Sequence, residues 1–226
     1  MKYSGFCFTA IIALSLCFLG CTTTETSRAL DTPQTRASAR AYYGPRAPIA
    51  VGNFDNRSGF MRGLFSDGEA RLGSQAKTIL MSHLTLTDRF VVLDRDNMGA
   101  IRREAEISGE TQELAGAAFV ITGDVSEFGR KEVTTYAFFG ILGRGRQQVA
   151  YSRVNLNIVD IRTSAIVFSA QGAGEYALSD LEVLGFGTVA GYDSTLNGKV
   201  LDLAIREAVD RLAEAIDSGR WNPART

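Results

Sequence analysis

Residues Arg130–Leu196 read RKEVTTYAFFGILGRGRQQVAYSRVNLNIVDIRTSAIVFSAQGAGEYALSDLEVLGFGTVAGYDSTL, and this stretch decides the fold. It is glycine-rich, with aromatic residues at intervals. From Phe168 the alternation is clean. Phe168, Ala170, Gly172, Gly174, Tyr176 and Leu178 share one parity, and Ser169, Gln171, Ala173, Glu175 and Ser179 the other. Leu184, Phe186, Thr188, Ala190 and Tyr192 resume the pattern beyond Asp180. A period of two is a strand. The stretch therefore divides into two hairpins, at about 130–152 and 169–195, the first turning through Gly140–Gly145. A soluble sheet would carry Val, Ile and Leu on its apolar face. Small residues with spaced aromatics suit a membrane barrel around an aqueous lumen. Two surface hairpins packed on a core fit the pattern equally.

Working outward, Val154, Leu156 and Ile158 alternate with Arg153, Asn155 and Asn157, whereas Val149 and Tyr151 lie on the opposite parity. The apolar face thus switches near Ser152, through a bulge or through a change of environment. In the second case Val149 and Tyr151 face lipid, with Tyr176, Phe186 and Tyr192. Asp160–Ser164 is a tight turn. Upstream, Pro48–Phe54 and Arg89–Leu93 are strands, and Ala117–Val125 is a continuous apolar strand of the kind buried on both faces. Leu72, Ala76, Ile79, Leu80 and Leu84 have helical spacing behind a capping box at Ser66–Glu69. Met98, Ile101 and Ala105 mark a second helix, capped by Asp94 or Asp96. Leu201, Ile205, Ala208, Leu212 and Ile216 mark a long third one, capped by Asn197 and ended by Gly219. Trp221 packs back. Helices and strands in this order make an α+β domain with a mixed sheet.

The 226-residue chain carries a formal net charge of −1, so no overall field draws it to nucleic acid. Its cysteines are Cys7, Cys17 and Cys21, which leaves no disulfide for the folded part. Phe6–Leu19 is an apolar run behind Lys2, too short to span a bilayer and suited to a secretory leader. It ends in Phe18-Leu19-Gly20-Cys21, which resembles a bacterial lipobox. That resemblance implies a signal peptide over 1–20 and triacylation of Cys21. Thr22 after the cysteine implies outer-membrane sorting. Residues 21–47 are polar and aperiodic, a tether or a strap on the domain surface. The domain proper is then 48–221.

Chemistry is sparse. Gly172-Ala173-Gly174-Glu175-Tyr176-Ala177 has the spacing of a dinucleotide loop, but strand alternation continues where a helix must begin. Asp55–Gly59 lacks the ligand pattern of a calcium loop. His83, the one histidine, falls near a helix end and reads as partly exposed. No catalytic set, metal cluster or cofactor is expected, and an enzyme is disfavoured.

Val51-Gly52-Asn53-Phe54 with Gly59, Arg89-Phe90 with Leu93-Asp94-Arg95, Ile121–Val125 with Phe128, Tyr151 with Val154–Asp160, and Gly219-Arg220-Trp221 together resemble the family of the curli production assembly/transport component CsgG. The resemblance implies an outer-membrane lipoprotein whose subunits form a ring. Each gives two hairpins to one shared oligomeric β-barrel, above a periplasmic vestibule. Implied partners are further copies of the chain, outer-membrane lipid, secreted fibre or adhesin subunits and accessory assembly proteins. A loop at Phe60–Gly68 would line the constriction, with Phe60, Leu64 and Phe65 as its candidates. The family's tyrosine falls on Leu64 by position, and its Asn-Phe pair on Gly68 and Glu69. The rival class is a periplasmic lipoprotein without a pore, which anchors adhesin or binds an envelope partner. Activators of penicillin-binding proteins have a similar tethered α+β domain.

Overall fold

A computed structural model describes residues 33–60, 66–137, 143–182 and 195–223. Five strands form one sheet in the order β2-β1-β3-β4-β5: β1 Ala47–Asn56, β2 Phe90–Leu93, β3 Phe119–Ala137, β4 Gly143–Asp160 and β5 Ile166–Glu182. β1 runs parallel to β2 and β3, and β3, β4 and β5 are antiparallel in turn. Three helices lie among the described residues: α1 Ser66–Leu86, α2 Met98–Ser108 and α3 Thr195–Asp217. The mixed sheet and α+β composition match the sequence reading.

One face of the sheet carries the core. Ile49, Val51, Phe119, Ile121, Val125, Val154, Leu156 and Ile158 bury against Leu72, Ala76, Leu80 and Leu84 of α1 and against Val200, Leu201, Ala204, Ile205, Ala208 and Leu212 of α3. These helical positions recur every three to four residues, so each helix turns one apolar stripe to the sheet. Trp221 closes the end of the core. It stacks on Phe90 and Phe168 and meets Phe119 edge-on, with centroids 6.3, 6.1 and 5.4 Å away.

Along Phe119–Val125 the other face is only partly covered, which corrects the expectation that this strand is buried on both sides. Val120 and Thr122 are half-buried, and cross-strand polar pairs cover the surface beside them. Asn155 Nδ2 donates to Asp124 Oδ1 (2.9 Å), Ser169 Oγ to Asn157 Oδ1 (2.7 Å) and Arg153 Nη1 to Glu127 Oε1 (2.7 Å). An antiparallel sheet tolerates one wet face, and paired polar side chains supply it.

Other local expectations shift as well. The irregularity anticipated near Ser152 of β4 lies in β3, between Val125 and Glu127. Ala150 and Ser152 are buried on the same parity as Val154, so β4 itself does not switch faces. Asn197 does not cap α3: the helix begins at Thr195, and Asn197 Oδ1 accepts from Arg130 Nε at 2.9 Å. Asp94 does not cap α2 directly. It organises the preceding turn, accepting from the backbone N–H groups of Asp96 and Asn97 and from Asn97 Nδ2 (2.6 Å). The Asn97 bonds hold its carboxyl below the usual carboxylate range. α2 buries no residue fully, and Ile101 and Ile107 stay exposed. At the β4–β5 turn, Asp160 Oδ1 accepts from the amides of Arg162 (2.8 Å) and Thr163 (3.0 Å).

The strap reading of the N-terminal segment holds for its last part. Thr35 caps a short 3-10 turn, Arg36–Ala39, by accepting from the Ser38 amide. That turn lies on α3. Ala37 N–H donates to Asp210 Oδ1 (2.9 Å), and Arg36 reaches Asp210 and Glu207 at 3.2 and 3.1 Å. Arg89, 1% exposed, is the bolt beneath. It grips Asp217 in two-pronged fashion (2.9 and 2.6 Å), donates to Thr87 O and Ala37 O (2.7 and 3.2 Å), and lies 5.0 Å from the Tyr42 ring centroid. Planar guanidinium geometry suits this combination of fork and stacking.

Candidate functional site

The feature with most functional content is the length of three strands. β1 and β2 stop early, but β3, β4 and β5 run on together. Pairing is continuous from Arg130↔Ala150 to Ala137↔Gly143, and from Ala150↔Tyr176 to Arg144↔Glu182. Beyond Arg130, β3 extends by about seven residues, roughly 23 Å at strand rise. This blade is the hairpin at 130–152 expected from sequence. The loop at its tip, residues 138–142, lies outside the described residues. So does most of the return arm of the second hairpin: β5 supplies its first arm, and residues 183–194 with Phe186 and Tyr192 are not described.

The glycines at the root of β5 have a specific reason. Gly172 and Gly174 fall on the core face beneath α3. A Cβ on Gly172 would collide with Ala204 O and come within 2.6 Å of Ala208 N. One on Gly174 would stand 2.7 Å from Leu203 Cβ and 2.9 Å from Val200 O. Only residues without a side chain let the helix backbone seat this closely on the strand. The same contact disposes of a dinucleotide loop, because β5 continues to Glu182 where a helix would have to start.

The remaining candidates fall as follows. Tyr176 lies on the face that α3 covers, half-buried against the core, with Lys199 Nζ 5.2 Å from its ring centroid. Tyr151 lies on the opposite face above Gly129, where a Cβ would sit 2.6 Å from the Tyr151 hydroxyl. Val149 shares that parity and is 3% exposed. Val149 is thus covered and Tyr176 half-covered within the single subunit, on opposite faces of the sheet. Phe60 packs edge-on to Phe128 (4.8 Å), and its carbonyl accepts from Asn56 Nδ2 (3.3 Å). It anchors one end of the expected constriction loop to the core. Leu64 and Phe65 lie outside the described residues, as does Cys21. The loop is shorter than expected: α1 begins at Ser66, so Gly68 and Glu69 belong to its first turn.

His83 is the clearest miss. It is 4% exposed, and its Nε2 lies 2.7 Å from Asp202 Oδ1 on α3. Asp202 Oδ2 is 3.0 Å from Arg206 Nε. The cluster joins α1 to α3 as a buried polar strut. Its partner stands 119 positions away, beyond the reach of any local pattern.

Two of the clefts among the described residues have the room for a ligand. One, about 520 Å³, opens on the wet face between Glu127, Lys131, Tyr151, Arg153 and Glu175. Its charges pair off as Arg153–Glu127 (2.7 Å) and Lys131–Glu175 (3.8 Å). The other, about 800 Å³, runs along β5 beside Arg211, Glu214, Ser218 and Arg220. Neither brings a nucleophile to a base among the described residues, and no group of three His, Cys, Asp or Glu there is placed to hold a metal. No helix among them is long and apolar enough to cross a membrane, which says nothing about strands.

Comparison with known proteins gives a consistent assignment. The family described as curli production assembly/transport component CsgG matches residues 34–225. A protein of Neisseria meningitidis serogroup B strain MC58, named as a lipoprotein, is 57% identical over 219 residues, which are 96% of this chain and 98% of that one. Among solved structures, the PelC dodecamer from Paraburkholderia phytofirmans is 14% identical with a TM-score of 0.34, over 82% of this chain and 97% of that one. Lipoprotein GNA1162 from Neisseria meningitidis is 16% identical with a TM-score of 0.32, over 76% and 99%. The chain belongs to the CsgG family.

Proposed function

We propose that this CsgG-family chain is a lipid-anchored subunit of a homo-oligomeric outer-membrane channel that secretes or assembles curli-like or adhesive surface fibres. The observation that carries the reading is the strand blade. Three adjacent strands leave the helix-covered sheet together and extend by about one bilayer half or more, given a hydrophobic band of about 25 Å for such barrels. Strands can enter lipid only in a closed barrel, because open edges leave backbone groups unsatisfied. The few strands of one chain cannot close around a useful bore, so the reading requires several copies. Cys21 is the anchor residue in this scheme, and the name of the meningococcal relative agrees with a lipoprotein. The domain faces the periplasm, and the segment Phe60–Phe65 narrows the passage. Transport is passive conduction of an unfolded chain and needs neither catalyst nor cofactor. The lipid-facing candidates are Phe186 and Tyr192 with either Val149 and Tyr151 or Tyr176, because the last two sets lie on opposite faces of the sheet and one barrel wall turns only one face to lipid.

One observation favours the rival reading. Gly172 and Gly174 are accounted for by the seating of α3, with no need of a neighbouring barrel strand. A pore-free envelope lipoprotein that anchors adhesin or docks a periplasmic partner would show the same contact. Single-particle imaging of detergent-extracted native protein, paired with planar-bilayer conductance, separates the two. Rings with discrete ohmic steps support the channel. A monomer without conductance rejects it and leaves the tethered docking protein.

A further inference from the structure

We infer that residues Thr35–Arg40 are a clasp that shortens the lipid leash and sets how far the domain stands from the membrane. The inference rests on the lipid anchor proposed above at Cys21. Measured from sequence alone, the leash would end where β1 begins, at Ala47. It ends instead at the clasp. Thr35 and Ala37 are 2% and 5% exposed, although they lie in a polar, low-complexity segment. The carboxylate of Asp210 receives the backbone amides of both Arg36 (3.2 Å) and Ala37 (2.9 Å), so it holds the main chain itself and not merely a side chain. Arg89 closes the far side through Ala37 O. These bonds to a charged acceptor and from a charged donor are the stronger kind.

The consequence is geometric. About 13 residues separate Cys21 from Gln34, against about 26 to Ala47. Fully extended, these reach roughly 45 and 90 Å. The clasp thus halves the greatest distance the covalent chain allows between Cys21 and the domain. It therefore moves the leash's point of attachment from β1 to α3.

The test uses the full-length chain, produced in a bacterium that processes lipoproteins and reconstituted in nanodiscs with dansyl-labelled headgroups. Trp221, the one tryptophan, is the energy donor. Two clasp variants are compared with the parent: Asp210→Ala, which removes the acceptor, and Ala37→Arg, which spoils the buried slot without touching the helix. Hydrogen exchange at the Ala37 amide reports docking. The expected result is a protected Ala37 amide in the parent, at least tenfold faster exchange in both variants, and lower, broader energy transfer to the membrane. An unprotected Ala37 amide in the parent overturns the clasp. Lost protection with unchanged energy transfer overturns its role in setting the distance. A parent chain that fails to enter nanodiscs, just as Cys21→Ser does, overturns the lipid anchor and the leash with it, while the exchange data still judge docking.

Discussion

Removing either half of the Arg89–Asp217 pair should have unequal costs, and the inequality tests the account of this buried guanidinium. Arg89 is 1% exposed, whereas the Asp217 side chain is 28% exposed. Asp217→Ala leaves a guanidinium in the interior with, among the described residues, only Thr87 O and Ala37 O as hydrogen-bond partners and the Tyr42 ring beside it. Breaking a buried pair in this way costs about 3–5 kcal/mol. Arg89→Met removes the charge instead. It leaves two carbonyl oxygens short of a donor, at about 1–3 kcal/mol for poorly satisfied groups, but Asp217 can recover water and the methionine fills part of the space. The expectation is about 2 kcal/mol for Arg89→Met and about 4 kcal/mol for Asp217→Ala, by these same rules. Urea unfolding followed by Trp221 fluorescence reads both, because the indole is buried among Phe90, Phe119 and Phe168. Against a whole-domain stability of about 5–15 kcal/mol, either shift is easily measured. The double variant should lose less than the sum. Arg89→Met as costly as Asp217→Ala, or both below about 1 kcal/mol, would refute the reasoning.

Gly172→Val should destabilise by about 3 kcal/mol or more, because the new side chain meets helix backbone, while Ala173→Val on the exposed parity should change thermal stability little. The Asp160 carboxyl is held below its ordinary value, chiefly by the Thr163 amide. Its contribution is therefore fully present above the unfolded-state value near 4 and lost as pH falls through the lower folded-state value. The stability gap between parent and Asp160→Asn should stay flat above about pH 5 and close below about pH 4, as read by urea titrations across that range. If the channel reading holds, Leu64→Ala with Phe65→Ala should raise single-channel conductance, and an unchanged value would remove that segment from the constriction.

Much of the architecture was legible because it is local. The parity of Phe168–Leu178 gave β5, the three-to-four spacing of Leu201–Leu212 gave α3, and the Asp160–Ser164 turn followed from its residue types. What failed depends on neighbours distant in sequence. Glycines at 172 and 174 read only as strand positions, because the helix backbone that seats on them lies about 30 positions later. His83 looked like an exposed helix end because Asp202 lies on the last helix. The strap was recognisable only as polar, since its docking depends on carboxylates some 170 positions later. The parity change read near Ser152 does not occur in β4; the irregularity is a bulge in the partner strand β3, which the sequence of β4 does not contain.

The strand order also bears on how the chain folds. β3, β4 and β5 pair with their immediate successors, so this meander can zip from its turns with little loop to close. β1 must wait. Its partners begin at Phe90 and Phe119, so it closes loops of about 40 and 70 residues before its pairing brings any return. Substitutions in the meander should accordingly alter the folding rate. Substitutions where β1 meets β2 should chiefly speed unfolding, as contacts absent from the transition state do. The region that gives the domain its distinctive outline would then be the first to form, and the N-terminal strand at the sheet's interior the last to lock in.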